Sequence, residues 1–117
     1  MDLSTHAHPD WMVCDVAGKI DIFTANALRE HLLAALGRPG YRLLLDMSMV
    51  TAMDASGVAV LLSTLRRAVR HGGTLRLIAP APVVRGLLKV SGLSGKFAVS
   101  ADLAGARIAE PLPAGGL

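Results

Sequence analysis

Apolar side chains recur along the chain with two different periods, one typical of strands and one typical of helices. Segments of these two kinds follow one another along the chain. Segments in which apolar and polar positions alternate, or in which a short apolar run is unbroken, predict β-strands. Five segments have this character: residues 11–16, 19–22, 41–45, 74–79 and 97–99. Segments in which apolar side chains return every three or four positions predict helices. Four segments show that period: residues 24–36, 54–70, 83–88 and 102–110.

Residues that favour helix ends bound the first three predicted helices. Thr24 is placed to cap the first helix, and Gly37 with Pro39 ends it. The second helix ends at residues 71–73, His-Gly-Gly, and the third ends at residues 91–92, Ser-Gly. The helical segments therefore have defined stops, which separate them from the strands that follow.

Strands and helices follow in the order β-β-α-β-α-β-α-β-α, which predicts an α/β domain. Strands joined through a helix pair in parallel, whereas the first two can form an antiparallel hairpin, so the central sheet is mixed and packs with about four helices. The apolar run 41–45 is typical of a central strand covered on both faces. We expect one domain over 11–110, with a flexible leader at 1–10 and a flexible tail at 111–117.

Composition narrows the class of protein. Apolar residues make up 52% of the chain and charged residues 18%, which excludes a disordered protein. Aromatic residues make up only 3%, and a net charge of +3 is short of a polybasic tract, so direct binding of nucleic acid is disfavoured. One group of basic residues is interpreted as a solvated face rather than a nucleic-acid patch: Arg66, Arg67, Arg70 and Arg76.

The same features indicate a cytoplasmic protein without membrane insertion. The longest aliphatic run, residues 58–62, is far shorter than the ~20 residues that span a bilayer. Residues 1–10 carry no apolar core of a signal peptide, and the lone Cys14 cannot form an intramolecular disulfide. Because Cys14 and Met12 both occupy inward positions on a predicted strand, we expect the Cys14 thiol to be buried and unreactive.

Enzyme chemistry finds little support in the residues. Ser56 lies where a loop enters a helix, but a nucleophile elbow requires glycine at the positions of Asp54 and Val58. The histidines lie on the leader, in mid-helix or at a distant helix end: His6, His8, His31 and His71. No set of residues therefore predicts a catalytic site or a cofactor.

Two binding motifs also fail. Residues 91–96 resemble a phosphate-binding loop, but Val90 occupies the first glycine position and Phe97 the hydroxyl position. A helix end followed by a turn explains this segment better. Residues 6–10 hold two histidines and an aspartate, but a flexible leader lacks the surrounding groups that orient metal ligands, so no metal site is predicted.

The segment Asp54-Ala55-Ser56-Gly57 carries the sharpest chemical hypothesis. With Asp54 as N-cap, Ser56 falls in the first helical turn, beside backbone N–H groups and the positive end of the helix dipole. A phosphate on Ser56 would add about −1.5 to −2 charge close to Asp54. A partner protein could read that change, although Ser56 and Gly57 also simply suit a first helical turn.

Four stretches together resemble the STAS domains, the fold of bacterial anti-sigma factor antagonists. Residues 43–62 resemble the family signature that runs from a buried strand through Asp-x-Ser-Gly into a helix. Residues 18–21, Gly-Lys-Ile-Asp, followed by 24–25, Thr-Ala, are similar to the family's turn into its first helix. Residues 72–75 and 90–93 match the family's glycine turn and its Ser-Gly-Leu. The resemblance covers roughly residues 11–110.

The resemblance implies a partner-switching protein that catalyses nothing itself. It implies that a serine kinase acting as anti-sigma factor binds the unphosphorylated domain and thereby releases sigma factor. Phosphorylation at Ser56 would end that binding, and a PP2C-type phosphatase would restore it. Ala55 departs from the many members that carry a second small hydroxyl residue there. The residues implied for partner binding are Asp21, Thr24, Asp54, Ser56 and Gly57.

Two questions stay open at the level of the sequence. Other STAS domains are cytoplasmic subunits of lipid-transport ABC systems or scaffolds of stress-sensing assemblies, and a genomic neighbourhood would separate these alternatives. Asp21 either completes the turn before the first helix or presents its carboxylate to a basic group on the kinase; the second interpretation is favoured.

Overall fold

The computed structural model describes residues 1–37 and 40–108. Within them, a single sheet of five strands has the order β1-β2-β3-β4-β5, in which β1 is antiparallel to β2 and all other neighbours are parallel. The strands are β1 Asp2–Ala7, β2 Trp11–Ile20, β3 Arg42–Met53, β4 Thr74–Ile78 and β5 Ala98–Ser100. The helices are α1 Ala25–Ala35, α2 Ala55–Arg70, α3 Pro82–Val90 and α4 Leu103–Ile108. The predicted mixed α/β architecture is confirmed.

Helices α1, α2 and α3 pack on one face of the sheet, and α4 contributes to a smaller apolar cluster on the other. The larger cluster joins the three helices to one set of alternating strand residues, among them Cys14, Leu43 and Leu45. The smaller cluster joins Ala106 of α4 to the intervening residues, among them Leu44. Because β3 is in the middle of the sheet and contributes to both clusters, the prediction of a central strand covered on both faces is confirmed.

The N-terminal segment corrects the sequence prediction. Residues 1–10 are predicted to be a flexible leader, but Asp2–Ala7 forms β1 and pairs with β2 along its whole length. The segments 11–16 and 19–22 are predicted to be a hairpin of two strands, but residues 11–20 form one strand, β2, and Asp21 and Ile22 lie in the turn that follows it. Gly18, with a φ of 94°, lies at an irregularity in the pairing with β3 instead of in a turn. The hairpin of the fold is therefore β1 with β2.

Strand β3 is longer than predicted, which moves the boundary of the predicted loop. The residues between the predicted strand 41–45 and the predicted helix 54–70 are expected to form a loop, whereas β3 continues to Met53 and pairs with β2 as far as Ile20. The extended strand delivers the chain directly into α2, with only Asp54 between them. The predicted tail 111–117, the helix stop at Pro39 and the end of the last predicted helix lie outside the described residues.

Helices α2 and α3 end in the same hydrogen-bond pattern. After α2, the N–H of Gly72 donates to the Val69 carbonyl at 3.1 Å, and the N–H of Gly73 donates to the Ala68 carbonyl at 2.8 Å. The pair of bonds is a Schellman motif, which requires a left-handed residue, here Gly72 with a φ of 74°. Gly92 has the corresponding position after α3, with a φ of 73°. The interpretation of residues 91–96 as a helix end and turn is therefore confirmed.

Cys14 is fully buried, as predicted. Burial raises the pKa of the Cys14 thiol to about 12, and the negative charge of Asp15 adds to the rise. The thiol is consequently protonated at neutral pH and inert as a nucleophile. None of the described helices is both long and apolar enough to cross a membrane.

Candidate functional site

All five residues predicted for partner binding meet at the carboxyl ends of β2 and β3. Ile20 is opposite Met53 in the parallel pairing of these strands, so the residues that follow them start from the same edge of the sheet. The N–H of Asp54 donates to the Ile20 carbonyl at 3.2 Å and joins the two chain segments. We call the group at this edge the carboxyl-edge site; it consists of Asp21, Thr24, Asp54, Ser56 and Gly57.

Asp54 caps helix α2, as the sequence predicts. Its backbone is extended, with a φ of −113° and a ψ of −173°, and its Oδ1 accepts a hydrogen bond from the N–H of Ser56 at 2.8 Å. The Asp54 carbonyl accepts from the N–H of Gly57 at 3.0 Å. Side-chain capping of this kind stabilises a helix by about 1 kcal/mol. The cap uses the backbone of Ser56 and leaves its side chain to other roles.

Ser56 therefore lies in the first turn of α2, and its side chain is half-buried. Across residues 1–37 and 40–108, no group accepts a hydrogen bond from the Ser56 hydroxyl or donates one to it. The two other hydroxyl residues between positions 46 and 57 differ from Ser56. Ser48 and Thr51 lie on strand β3, and the Ser48 hydroxyl donates to Asp46 Oδ1 at 2.7 Å. Ser56 alone among these three combines a helix start with an uncommitted hydroxyl.

Gly57 allows the start of α2 to approach the sheet closely. A Cβ atom at this position would lie 2.5 Å from Cγ and 2.8 Å from the sulfur of Met53, and 3.0 Å from Cγ2 of the fully buried Ile20. Contacts below 3.0 Å overlap sterically, so a side chain here displaces either Met53 or the helix. The absence of a side chain at Gly57 therefore allows the first turn of α2, with Ser56, to lie this close to the sheet.

Asp21 and Thr24 exchange hydrogen bonds and form the turn that begins α1. Oδ1 of Asp21 accepts from the N–H of Phe23 at 2.9 Å and from the N–H of Thr24 at 3.2 Å. In return, the N–H of Asp21 donates to Oγ1 of Thr24 at 2.9 Å. Reciprocal bonds over this spacing are a capping box. Thr24 is the N-cap residue of α1, as predicted, but its side chain makes no cap hydrogen bond; its hydroxyl donates to the Lys19 carbonyl at 3.1 Å.

The turn occupies only one oxygen of the Asp21 carboxylate. Oδ2 lies 3.9 Å from Nζ of Lys19, at the limit of an ion pair, and the Asp21 side chain is 20% exposed. Asp54 is exposed on the neighbouring segment. The carboxyl-edge site thus carries two acidic side chains, one on the turn after β2 and one at the start of α2, together with the neutral Ser56.

Two exposed apolar residues of this edge are absent from the sequence-based set. Ile22 and Phe23 lie within the turn that Asp21 and Thr24 form, with 68% and 86% of their surfaces exposed. Their position between the two capping residues is the one signal by which the sequence could have identified them, since an apolar pair inside a tight turn cannot reach the core.

The remaining sequence-based candidates are not brought together. Arg76 lies on β4, where its Nη1 donates to Oγ of Ser100 at 3.0 Å, away from the exposed arginines at the end of α2. His6 lies 3.3 Å from Asp15 across the β1–β2 hairpin. Over the part of the chain that the structure describes, no three potential ligand side chains are grouped to hold a metal ion.

Comparison with known proteins identifies relatives across the whole described domain. The family model of the STAS domain matches residues 2–106. The anti-sigma-B factor antagonist of Bacillus subtilis (strain 168) is 31% identical over 91 residues, which cover 78% of this chain and 83% of that protein.

Solved structures have the same fold. An anti-sigma factor antagonist from Mycobacterium paratuberculosis superimposes with a TM-score of 0.79 at 26% identity, covering 91% of this chain and 90% of that chain. The Bacillus cell fate determinant SpoIIAA in its phosphorylated form superimposes with a TM-score of 0.70 at 19% identity, covering 91% of this chain and 97% of that chain. The second likeness is one of fold alone.

We predict that Gly57→Ala lowers the free energy of unfolding by about 1–2 kcal/mol, because the overlap with Met53 and Ile20 outweighs the gain in helix propensity. The matched control is Gly86→Ala in α3, where nothing lies within 4 Å of the new Cβ. That variant should gain about 0.5–1 kcal/mol. Urea denaturation of both variants checks the pair, and a similar response of the two glycines would contradict the close packing at Gly57.

Proposed function

The chain belongs to the STAS domain family, and we propose that it is an anti-sigma factor antagonist controlled by phosphorylation of Ser56. The unphosphorylated domain binds an anti-sigma factor that is also a serine kinase, and this binding releases the sigma factor for transcription. The single observation that supports the proposal most strongly is the uncommitted hydroxyl of Ser56 in the first turn of an aspartate-capped helix. The relatives with the same fold bear the names of anti-sigma factor antagonists.

The partner surface is the carboxyl-edge site in its neutral-serine state. Asp54 and Gly57 hold the start of α2 at a fixed height, so that Ser56 and the first turn are presented on a rigid element. Asp21 contributes through Oδ2, the oxygen that the turn does not use, by facing a basic group of the kinase. Thr24 supports Asp21 by accepting its N–H.

Phosphorylation converts this surface without refolding it. The Ser56 oxygen takes the γ-phosphoryl group of ATP held by the kinase, the bond from phosphorus to the ADP oxygen breaks, and the hydroxyl proton passes to a base of the kinase. A phosphate at the helix start is favoured by the dipole and by nearby N–H groups. It also adds about −1.5 to −2 charge to a site that already carries Asp21 and Asp54, and this charge opposes binding by a kinase surface that is complementary to the neutral form.

Reversal requires a second enzyme, because the domain itself carries no hydrolytic chemistry in this proposal. A PP2C-type phosphatase removes the phosphate from Ser56 and restores the binding form. The phosphorylated relative SpoIIAA has the same fold, which supports the view that this architecture tolerates the modification.

Binding and phosphate transfer test the proposal directly. The anti-sigma factor kinases encoded in the same genome are purified, titrated with the chain and supplied with ATP, and the phosphate is located by peptide mapping. We expect one kinase to bind and to modify Ser56, with Ser48 and Thr51 as internal controls, because these two hydroxyls lie on a strand. Phosphate on Ser48 or Thr51 alone would refute the assignment. Binding of an ABC ATPase, titrated in parallel, with no binding of any kinase would support the transport alternative.

We predict that Ser56→Asp weakens kinase binding by about tenfold or more while the melting temperature stays within about 2 °C of wild type. A carboxylate is tolerated at a helix start, but it faces a surface shaped for a neutral side chain. Ser56→Ala is the control and should bind like wild type but resist release in the presence of ATP. Calorimetric titration and thermal unfolding give both quantities. Wild-type affinity of the Asp variant would exclude control by charge.

We predict that Asp21→Asn retains stability and loses affinity. The asparagine Oδ1 accepts the same hydrogen bonds from Phe23 and Thr24, so the capping box survives, whereas the charge on the second oxygen is lost. Asp21→Ala should in addition lose about 1 kcal/mol of stability with the cap. Kinase titrations over a salt series should show a shallower salt dependence for Asp21→Asn than for wild type. Equal affinities and salt slopes would reduce Asp21 to its role in the turn.

A further inference from the structure

The most exposed large apolar residues at the carboxyl edge form a pair, Ile22 and Phe23. The chain has four aromatic residues, and Phe23 is the exception among them: Tyr41 and Phe97 are buried and Trp11 is half-buried, whereas 86% of Phe23 is exposed. Ile22 beside it is 68% exposed. A single exposed apolar residue is ordinary on a protein surface, but adjacent large apolar residues on one tight turn form a contact surface.

The turn that carries this pair is held by the capping box. The N–H of Phe23 donates to Asp21 Oδ1 at 2.9 Å, and the N–H of Ala25 donates to the Asp21 carbonyl at 2.8 Å. The backbone of the pair is thus fixed before any partner arrives. A fixed backbone lowers the conformational entropy lost on binding, which is a main cost of association.

The pair is continuous with the surface around Ser56. Ile20, the last residue of β2, packs against Gly57 and accepts the N–H of Asp54 through its carbonyl. Only Asp21 separates Ile20 from Ile22 along the chain. A partner that covers Ser56 and reaches Oδ2 of Asp21 therefore meets Ile22 and Phe23 at the border of the same contact.

We propose that Ile22 and Phe23 form an apolar anchor that inserts into an apolar pocket of the anti-sigma factor. This pocket lies beside the part of the anti-sigma factor that contacts Ser56. This inference rests on the proposed function and adds to it a specificity-determining element. Large aromatic side chains that become buried in a pocket of a partner commonly supply a large share of the binding energy. The anchor supplies binding energy that does not depend on charge. The phosphorylation state of Ser56 determines whether electrostatic repulsion prevents binding.

The test measures the affinity of Phe23→Ser for the anti-sigma factor kinase that binds the wild-type chain. We expect a loss of about tenfold to a hundredfold, equal at low and high salt, because the lost contact is apolar. The fold is expected to be unaffected, since Phe23 contributes its backbone N–H to the capping box and its side chain is exposed. Phe23→Leu should restore most of the affinity.

Val90→Ser is the matched control. Val90 is 81% exposed at the end of α3, near the amino ends of the parallel strands and away from the carboxyl-edge site. It should bind like wild type. Equal losses for Phe23→Ser and Val90→Ser, or no loss for Phe23→Ser, would overturn the anchor.

The proposed function is separated from the anchor by Ser56→Asp in the same titrations. If Ser56→Asp releases the kinase while Phe23→Ser binds like wild type, the anchor is wrong and the proposed function stands. If no kinase binds the wild-type chain, both are wrong. The other possible occupant is a second copy of this chain, and sedimentation of the free proteins tests for it. If the wild-type chain is a dimer and Phe23→Ser is a monomer with unchanged kinase affinity, the pair serves self-association and the proposal is overturned.

Discussion

The contact between the start of α2 and the ends of β2 and β3 is the constraint on which the rest of the site depends. It consists of one hydrogen bond, from the Asp54 N–H to the Ile20 carbonyl at 3.2 Å, and of the space that Gly57 leaves for Ile20 and Met53. Because both strands end at this contact, the turn at Asp21 and the cap at Asp54 start from neighbouring points. Residues that are more than 30 positions apart in the sequence thereby form one surface.

The sequence predicted the interior of the fold better than its border. Strand β3 has a strong apolar pattern because apolar clusters cover both of its faces, and α2 has one because its inner face packs on the sheet. Gly72 and Gly92 mark helix ends through their backbone geometry. Strand β1 was missed because it is an edge strand whose residues, other than Leu3, are exposed, so its side chains carry no apolar alternation. Gly18 was interpreted as a turn residue because glycine is common in turns. Its positive φ occurs here at an irregularity in strand pairing, where glycine is equally suited.

The site was predictable where a local rule determines it. The cap at Asp54 and the place of Ser56 in the first turn follow from residue types and spacing alone. Thr24 was placed correctly at the start of α1, but the sequence did not show that Asp21 supplies the side-chain hydrogen bonds there, because either side chain can accept them and the geometry of the end of β2 selects Asp21. Gly57 was interpreted as a first-turn residue, since the close approach of Ile20 and Met53 depends on strand register, which a single sequence does not display.

A phosphate at Ser56 can change binding without changing the fold, because its charge stays in water in the free domain but is removed from water in the complex with the partner. In the free domain the helix dipole favours the phosphate by about 0.3–1 kcal/mol, and repulsion from the exposed Asp54 opposes it by a similar amount in water. In the proposed complex the same charge is removed from water beside Asp21 and Asp54, where like charges cost several kcal/mol. The cap at Ser56 uses its backbone N–H and not its hydroxyl, so the modification leaves the helix start in place. Phosphorylation of Ser56 therefore changes the affinity for the partner strongly and the stability of the domain very little.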